Sequence, residues 1–146
     1  MTAPNTTELP GDLSVSVGTS RSAASVAGHE HADGPILIVD DEPFVADLLY
    51  HWVHTVWQYP AVMAHSGAEA LAAVREHHPR LVLLDINLPD RNGLDVLREM
   101  RIDDDHLPVV VVSAQERVTT AVQALKSGAY DYMMKPIDTE RLQVII

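Results

Sequence analysis

The chain has 146 residues, enough for one domain with a real core and too few for two ordinary ones. Ten Lys and Arg against 21 Asp and Glu give a formal charge of −11, so phosphate backbones and anionic lipid surfaces would repel it and direct nucleic-acid binding by this segment is disfavoured. Cysteine is absent, which excludes disulfides, thiolate zinc sites and a cysteine nucleophile, and no apolar run reaches the roughly 18–20 residues of a membrane span.

Residues 1–34 are rich in Ser, Thr, Ala and Gly and sustain neither a helical nor a strand period. No basic residue precedes Arg21 and no uninterrupted apolar stretch precedes Pro35, so this is not the pattern of a signal peptide. A disordered N-terminal tail on a soluble, cytoplasmic chain is expected, followed by a folded domain over residues 35–146.

From Pro35 onward short apolar runs alternate with helical patterns. Ile36-Leu37-Ile38-Val39 is the first run, as expected of a parallel strand buried on both faces. Pro43 suits a first helical turn, and Val45, Leu48, Leu49, Trp52, Val53 and Val56 then draw one apolar stripe. Ala61-Val62-Met63-Ala64 reads as a flanking strand. Ser66 with Glu69 forms a capping box for a helix whose inner face is Ala70, Leu71 and Val74, and Pro79 stops it. Leu81-Val82-Leu83-Leu84 is the third strand, followed by a helix from Gly93 to Arg101 with Leu94, Leu97 and Met100 inward. Val109-Val110-Val111-Val112 is the fourth strand. The next helix, Val118 to Ser127, is expected to turn Val118, Ala121, Val122 and Leu125 inward and to end at Gly128 in a left-handed conformation. Tyr130-Asp131-Tyr132-Met133-Met134 is a second flanking strand, and Asp138 caps a last helix over Thr139 to Ile146. Five strand-helix units with short, right-handed connections predict an α/β fold, a doubly wound five-stranded parallel sheet.

In such a sheet the ligand site lies beyond the carboxyl ends of the strands. Those ends carry Asp40-Asp41-Glu42, Asp85, Ser113 and Lys135-Pro136. Crowded carboxylates repel one another by about 4 kcal/mol per close pair at an effective dielectric of about 20, and a cation relieves this. Hard oxygen donors without His or Cys favour Mg²⁺, which shares its shell with a phosphoryl group. Without the cation the three aspartates should destabilise the fold, Lys135 offsetting only part of the repulsion, so Asp40→Asn is expected to stabilise the metal-free chain. Glu42 reads as solvated beside the site, and Asp103-Asp104-Asp105-His106 as an exposed loop. His51 and His54 on the first helix do not make a zinc site.

Residues 35–146 resemble the receiver domain of bacterial two-component response regulators. The resemblance is carried by Ile38-Val39-Asp40-Asp41-Glu42, by Leu83-Leu84-Asp85-Ile86-Asn87-Leu88-Pro89-Asp90 with Asn92-Gly93, by Val112-Ser113-Ala114, and by Gly128-Ala129-Tyr130-Asp131-Tyr132-Met133-Met134-Lys135-Pro136. It implies a flavodoxin-like fold with strand order 2-1-3-4-5 and a signalling phosphoprotein, not a classical enzyme. By resemblance Asp85 is the phosphoacceptor, Asp41 a direct Mg²⁺ ligand, Asp40 a ligand acting through water, and the Asn87 carbonyl a further ligand. Ser113 and Lys135 contact phosphoryl oxygens, and Tyr132 turns inward when the face formed by the fourth helix and fifth strand switches. Many relatives carry Thr where Ser113 stands. The partners implied are a sensor histidine kinase or phosphotransfer protein and an effector domain or partner protein, with homodimer formation allowed. The stretch Ala124 to Tyr132 resembles receivers of enhancer-binding transcription activators, which places the chain in transcription regulation as the N-terminal portion of a longer protein. A haloacid-dehalogenase-like phosphohydrolase would also phosphorylate an aspartate after an apolar strand. It needs a second aspartate two residues on, and Asn87 cannot exchange protons in that role.

Overall fold

The three runs of branched side chains form the three central strands of a single parallel sheet. In the computed structural model, which describes residues 33–114 and 117–146, the strands are β1 (Ile36–Val39), β2 (Ala61–Ala64), β3 (Leu81–Asp85), β4 (Val109–Ser113) and β5 (Asp131–Met134), in the order β2-β1-β3-β4-β5. This is the expected architecture. The described residues belong to one unit, His31–Ile146. The tail expected over residues 1–34 lies outside the described residues except for Asp33 and Gly34. No helix among the described residues is long and apolar enough to cross a membrane.

Alternation along the strands makes two cores. Leu37, Val39, Val82, Leu84, Val109 and Val111 face one side, where α2 (Gly67–His77), α3 (Gly93–Asp103) and α4 (Val118–Lys126) cover them. Ile36, Ile38, Leu81, Leu83, Val110 and Val112 face the other, beneath α1 (Pro43–Tyr50) and α5 (Thr139–Ile145). Burial on both faces explains why these strands read as continuous apolar runs.

The capping signals act locally, with one variation. Ser66 Oγ accepts from Glu69 N at 3.1 Å, but the Glu69 carboxylate reaches past the cap to accept from His65 N at 2.8 Å. Asp138 caps α5 by accepting from Glu140 N and Arg141 N at 3.1 and 3.2 Å. Gly128 has φ +103°, a backbone that side-chain-bearing residues rarely adopt.

Two helices differ from expectation. Beyond Tyr50 the first helix widens into a π-helical segment, His51–Val56, in which Trp57 N donates to Trp52 O at 2.9 Å. Ala46, Leu49 and Val53 are its buried residues, while Leu48 and Val56 face solvent. In α4 only Ala124 is buried: Val118 is 77 % exposed, and Val122 and Leu125 are also exposed. Within α4 the core contact is made by Ala124, and the larger apolar side chains lie on the outer face.

Candidate functional site

Parallel register delivers the polar residues to one edge. Val39 pairs with Leu84, which sets Asp40 level with Asp85, and Asp85 pairs with Val112, which sets Ser113 one step further on. Ser113 pairs with Met134, and Lys135 N donates to Ser113 O at 2.9 Å. Asp40, Asp85 and Ser113 are 1 %, 3 % and 0 % exposed, and are the buried polar residues among those described.

Lys135 organises the charges. Its Nζ lies 2.9 Å from Asp40 Oδ2, 3.3 Å from Asp85 Oδ2 and 3.2 Å from Glu42 Oε1. The remaining oxygens take main-chain donors: Asp40 Oδ1 accepts from Glu42 N at 2.9 Å and Asp85 Oδ1 from Asn87 N at 3.2 Å. Burial first, and the charge of Asp40 second, push the Asp85 carboxyl above the ordinary carboxylate range against the opposing pull of Lys135. Burial by itself would lower Lys135, but the hydrogen bond to Asp40 and the charges of Asp85 and Asp40 outweigh it, raising its pKa and keeping it protonated. One ammonium therefore leaves negative charge uncompensated.

Asp41 is exposed at the mouth, yet oxygens of Asp40, Asp41 and Asp85 lie within 4.8 Å of one another. An all-oxygen donor set of this kind suits a hard divalent cation. Asn87 lies on the loop after β3, joined to Asn92 by an isolated antiparallel bridge. Gly93 closes that loop by donating to Ile86 O at 2.7 Å, and a Cβ at Gly93 would strike the Asp85 carbonyl oxygen and Ile86 Cα.

Asp40, Asp41, Asp85 and Lys135 thus converge as the sequence suggests, Asn87 joins through its amide, and Ser113 occupies the next strand end. Tyr132 is half-buried on β5 against the core that α2, α3 and α4 cover, opposite Val111 in the sheet. Three contacts have no signature in the chain. Glu42 shares Lys135. His65 Nδ1 lies 3.0 Å from the Asp40 carbonyl oxygen, a hydrogen bond made by the tautomer that carries its proton on Nδ1, since the oxygen can only accept. Asp90 holds the first turn of α2. Each partner is remote in the chain or outside any period, so only the folded geometry reveals it.

The sequence profile of the response regulator receiver domain matches residues 36–146. The transcriptional regulatory protein ZraR of Klebsiella oxytoca is 39 % identical over 111 residues, covering 76 % of this chain and 25 % of that protein. The DNA-binding response regulator MtrA of Mycolicibacterium smegmatis is 43 % identical over 107 residues, covering 73 % of this chain and 46 % of the relative. The crystal structure of the receiver domain of NtrX from Brucella abortus superposes with a TM-score of 0.70 at 38 % identity, covering 75 % of this chain and 92 % of the other. The chain spans about a quarter of the length of relatives such as ZraR. With the profile matched over residues 36–146 and a receiver-domain structure superposing on the same five-stranded sheet, the chain belongs to the response regulator receiver domains of two-component signalling.

Proposed function

We propose that Asp85 is the phosphoacceptor of this receiver and that its phosphorylation changes the face built from α4 and β5. The observation that carries the reading is a buried carboxylate at a strand end, Asp85, with one oxygen on Lys135 and other carboxylate oxygens within 4.8 Å. Asp85 attacks the phosphorus of a phosphohistidine on a sensor histidine kinase or phosphotransfer protein, or of a small acyl phosphate. An O–P bond forms as the donor's P–N or P–O bond breaks, and the leaving imidazole or carboxylate keeps the electron pair.

Asp40, Asp41, Asp85 and the Asn87 carbonyl would hold Mg²⁺, which when bound offsets charge on the transferred phosphoryl oxygens. Lys135 is already charged and faces Asp85, so it stabilises the same oxygens without reorganisation. Ser113 supplies a hydroxyl donor from β4. Asn87 is an amide and provides no general acid or base, which favours a phosphoaspartate lasting long enough to signal over rapid hydrolysis.

Drawing Ser113 toward the phosphoryl group opens room for Tyr132 to turn inward, and the outer face carrying Val118, Val122, Leu125 and Met134 changes shape. Exposed apolar side chains there suit a protein partner or a second copy. ZraR is named a transcriptional regulatory protein and MtrA a DNA-binding response regulator, which supports an attached effector that acts on DNA. Mass spectrometry after incubation with acetyl phosphate and Mg²⁺ should show one added phosphoryl group, absent in Asp85→Asn. Equal labelling of that variant would reject the assignment.

A further inference from the structure

We infer that Asp90 is a positioning residue for phosphorylation, fixing the loop that carries Asn87 by clamping it to the N-terminus of α2. The inference rests on the reading of Asp85 and Asn87 given above.

The first turn of a helix leaves amides without intrahelical partners. In α2 the Ser66 hydroxyl accepts from one of them, Glu69 N, while the Ser66 carbonyl takes the first regular helical bond from Ala70 N. The amides of Gly67 and Ala68 are met from a different part of the chain. Asp90 Oδ1 accepts from Gly67 N at 2.8 Å and Oδ2 from Ala68 N at 3.0 Å. These hydrogen bonds, that from Gly67 foremost, hold the Asp90 carboxyl below the usual carboxylate range, so it stays ionised at neutral pH. Gly67 permits the approach: a Cβ there would lie 2.8 Å from both Arg91 Cγ and Val96 Cγ2.

The clamp reaches the site through a closed loop. Leu88 N donates to Ile86 O at 3.1 Å, Gly93 N to the same oxygen at 2.7 Å, and Asn87 pairs with Asn92 across the loop. Asn87 N in turn donates to Asp85 Oδ1. Fixing Asp90 on a rigid helix end therefore limits where the Asn87 carbonyl and the Asp85 carboxylate lie, although Asp90 touches neither.

The alternative is that Asp90 only caps α2. Ser66→Ala separates the two, because it removes a cap from the same helix end and leaves the loop bound. In Asp90→Ala, calorimetric titration should show Mg²⁺ affinity reduced several-fold, and phosphorylation by acetyl phosphate should fall at limiting Mg²⁺ and recover at saturating Mg²⁺. The Asn87 amide shift should move in Asp90→Ala and stay in place in Ser66→Ala, which lowers only the unfolding midpoint. Asp90→Asn keeps one acceptor and should give an intermediate affinity, so it serves if the alanine variant fails to fold. Wild-type Mg²⁺ affinity with an unmoved Asn87 amide in either variant overturns the inference. A wild type that neither binds Mg²⁺ nor accepts phosphate overturns instead the reading beneath it.

Discussion

At the scale of single residues, the charges at the strand ends are unequal partners. Lys135 lies closer to Asp40 than to Asp85, and Asp40 also accepts a main-chain hydrogen bond from Glu42. Asp85 is the carboxyl whose pKa is raised, by burial and then by Asp40. The relief expected from the sequence at Asp40 therefore belongs at Asp85. In chelator near pH 7, Asp85→Asn should stabilise the protein by on the order of 1 kcal/mol in urea unfolding, while Asp40→Asn should destabilise it by breaking the closest contact of a buried ion pair. A raised carboxyl binds its proton more tightly folded than unfolded. Its unfavourable contribution is therefore present at neutral pH, shrinks as pH falls through the raised value, and is gone below the unfolded value of 3.8. Wild type should gain stability relative to Asp85→Asn on mild acidification. A constant difference between the two from pH 7 to 4 would mean that Asp85 is not the strained group.

At the scale of elements, what the sequence conveyed depended on which physical signal was local. Strands buried on both faces announce themselves as branched runs, and the aspartates that follow them inherit their placement from strand ends, which is why Asp40, Asp85 and Lys135 were legible. Ser66 and Asp138 were legible because caps act within three residues. The π-helical turn at His51–Val56 was not, since Leu49 and Val53 keep an α-like spacing while the hydrogen bonds widen beneath them. Nor was the facing of α4, because an apolar stripe for a partner has the same period as one for a core. Contacts such as Lys135 with Glu42, 93 residues apart, have no sequence signature. With Ala124 as its one buried residue, α4 has few apolar contacts to oppose a shift when its neighbours move. Adding a beryllofluoride phosphate mimic with Mg²⁺ should therefore move amide resonances from Ser113 through Lys135, including α4 far from Asp85. Shifts confined to the immediate surroundings of Asp85 would mean that the α4–β5 face does not respond.

At the scale of the whole molecule, the acidic cluster couples ion binding to folding. The three carboxylates lie within 4.8 Å of one another only because β1 and β3 hold them there, so the unfolded chain offers the ion no comparable site. A ligand that binds the folded state alone stabilises it by RT ln(1 + [L]/Kd), about 2.7 kcal/mol at one hundred times Kd. Millimolar Mg²⁺ should therefore raise the thermal unfolding midpoint with a logarithmic dependence on concentration. The net charge of −11 complicates the experiment, because any salt screens self-repulsion in so acidic a chain. Matched ionic strength with a monovalent salt removes that contribution, and Ca²⁺ tests selectivity for the smaller ion. Asp85→Asn should start from a higher midpoint in chelator and respond less to Mg²⁺, since the charge that strains the empty cluster is also one that holds the cation. If wild type and Asp85→Asn instead respond equally to Mg²⁺, the carboxylates do not act as one site, and the ion has no structural basis for assisting phosphorylation at Asp85.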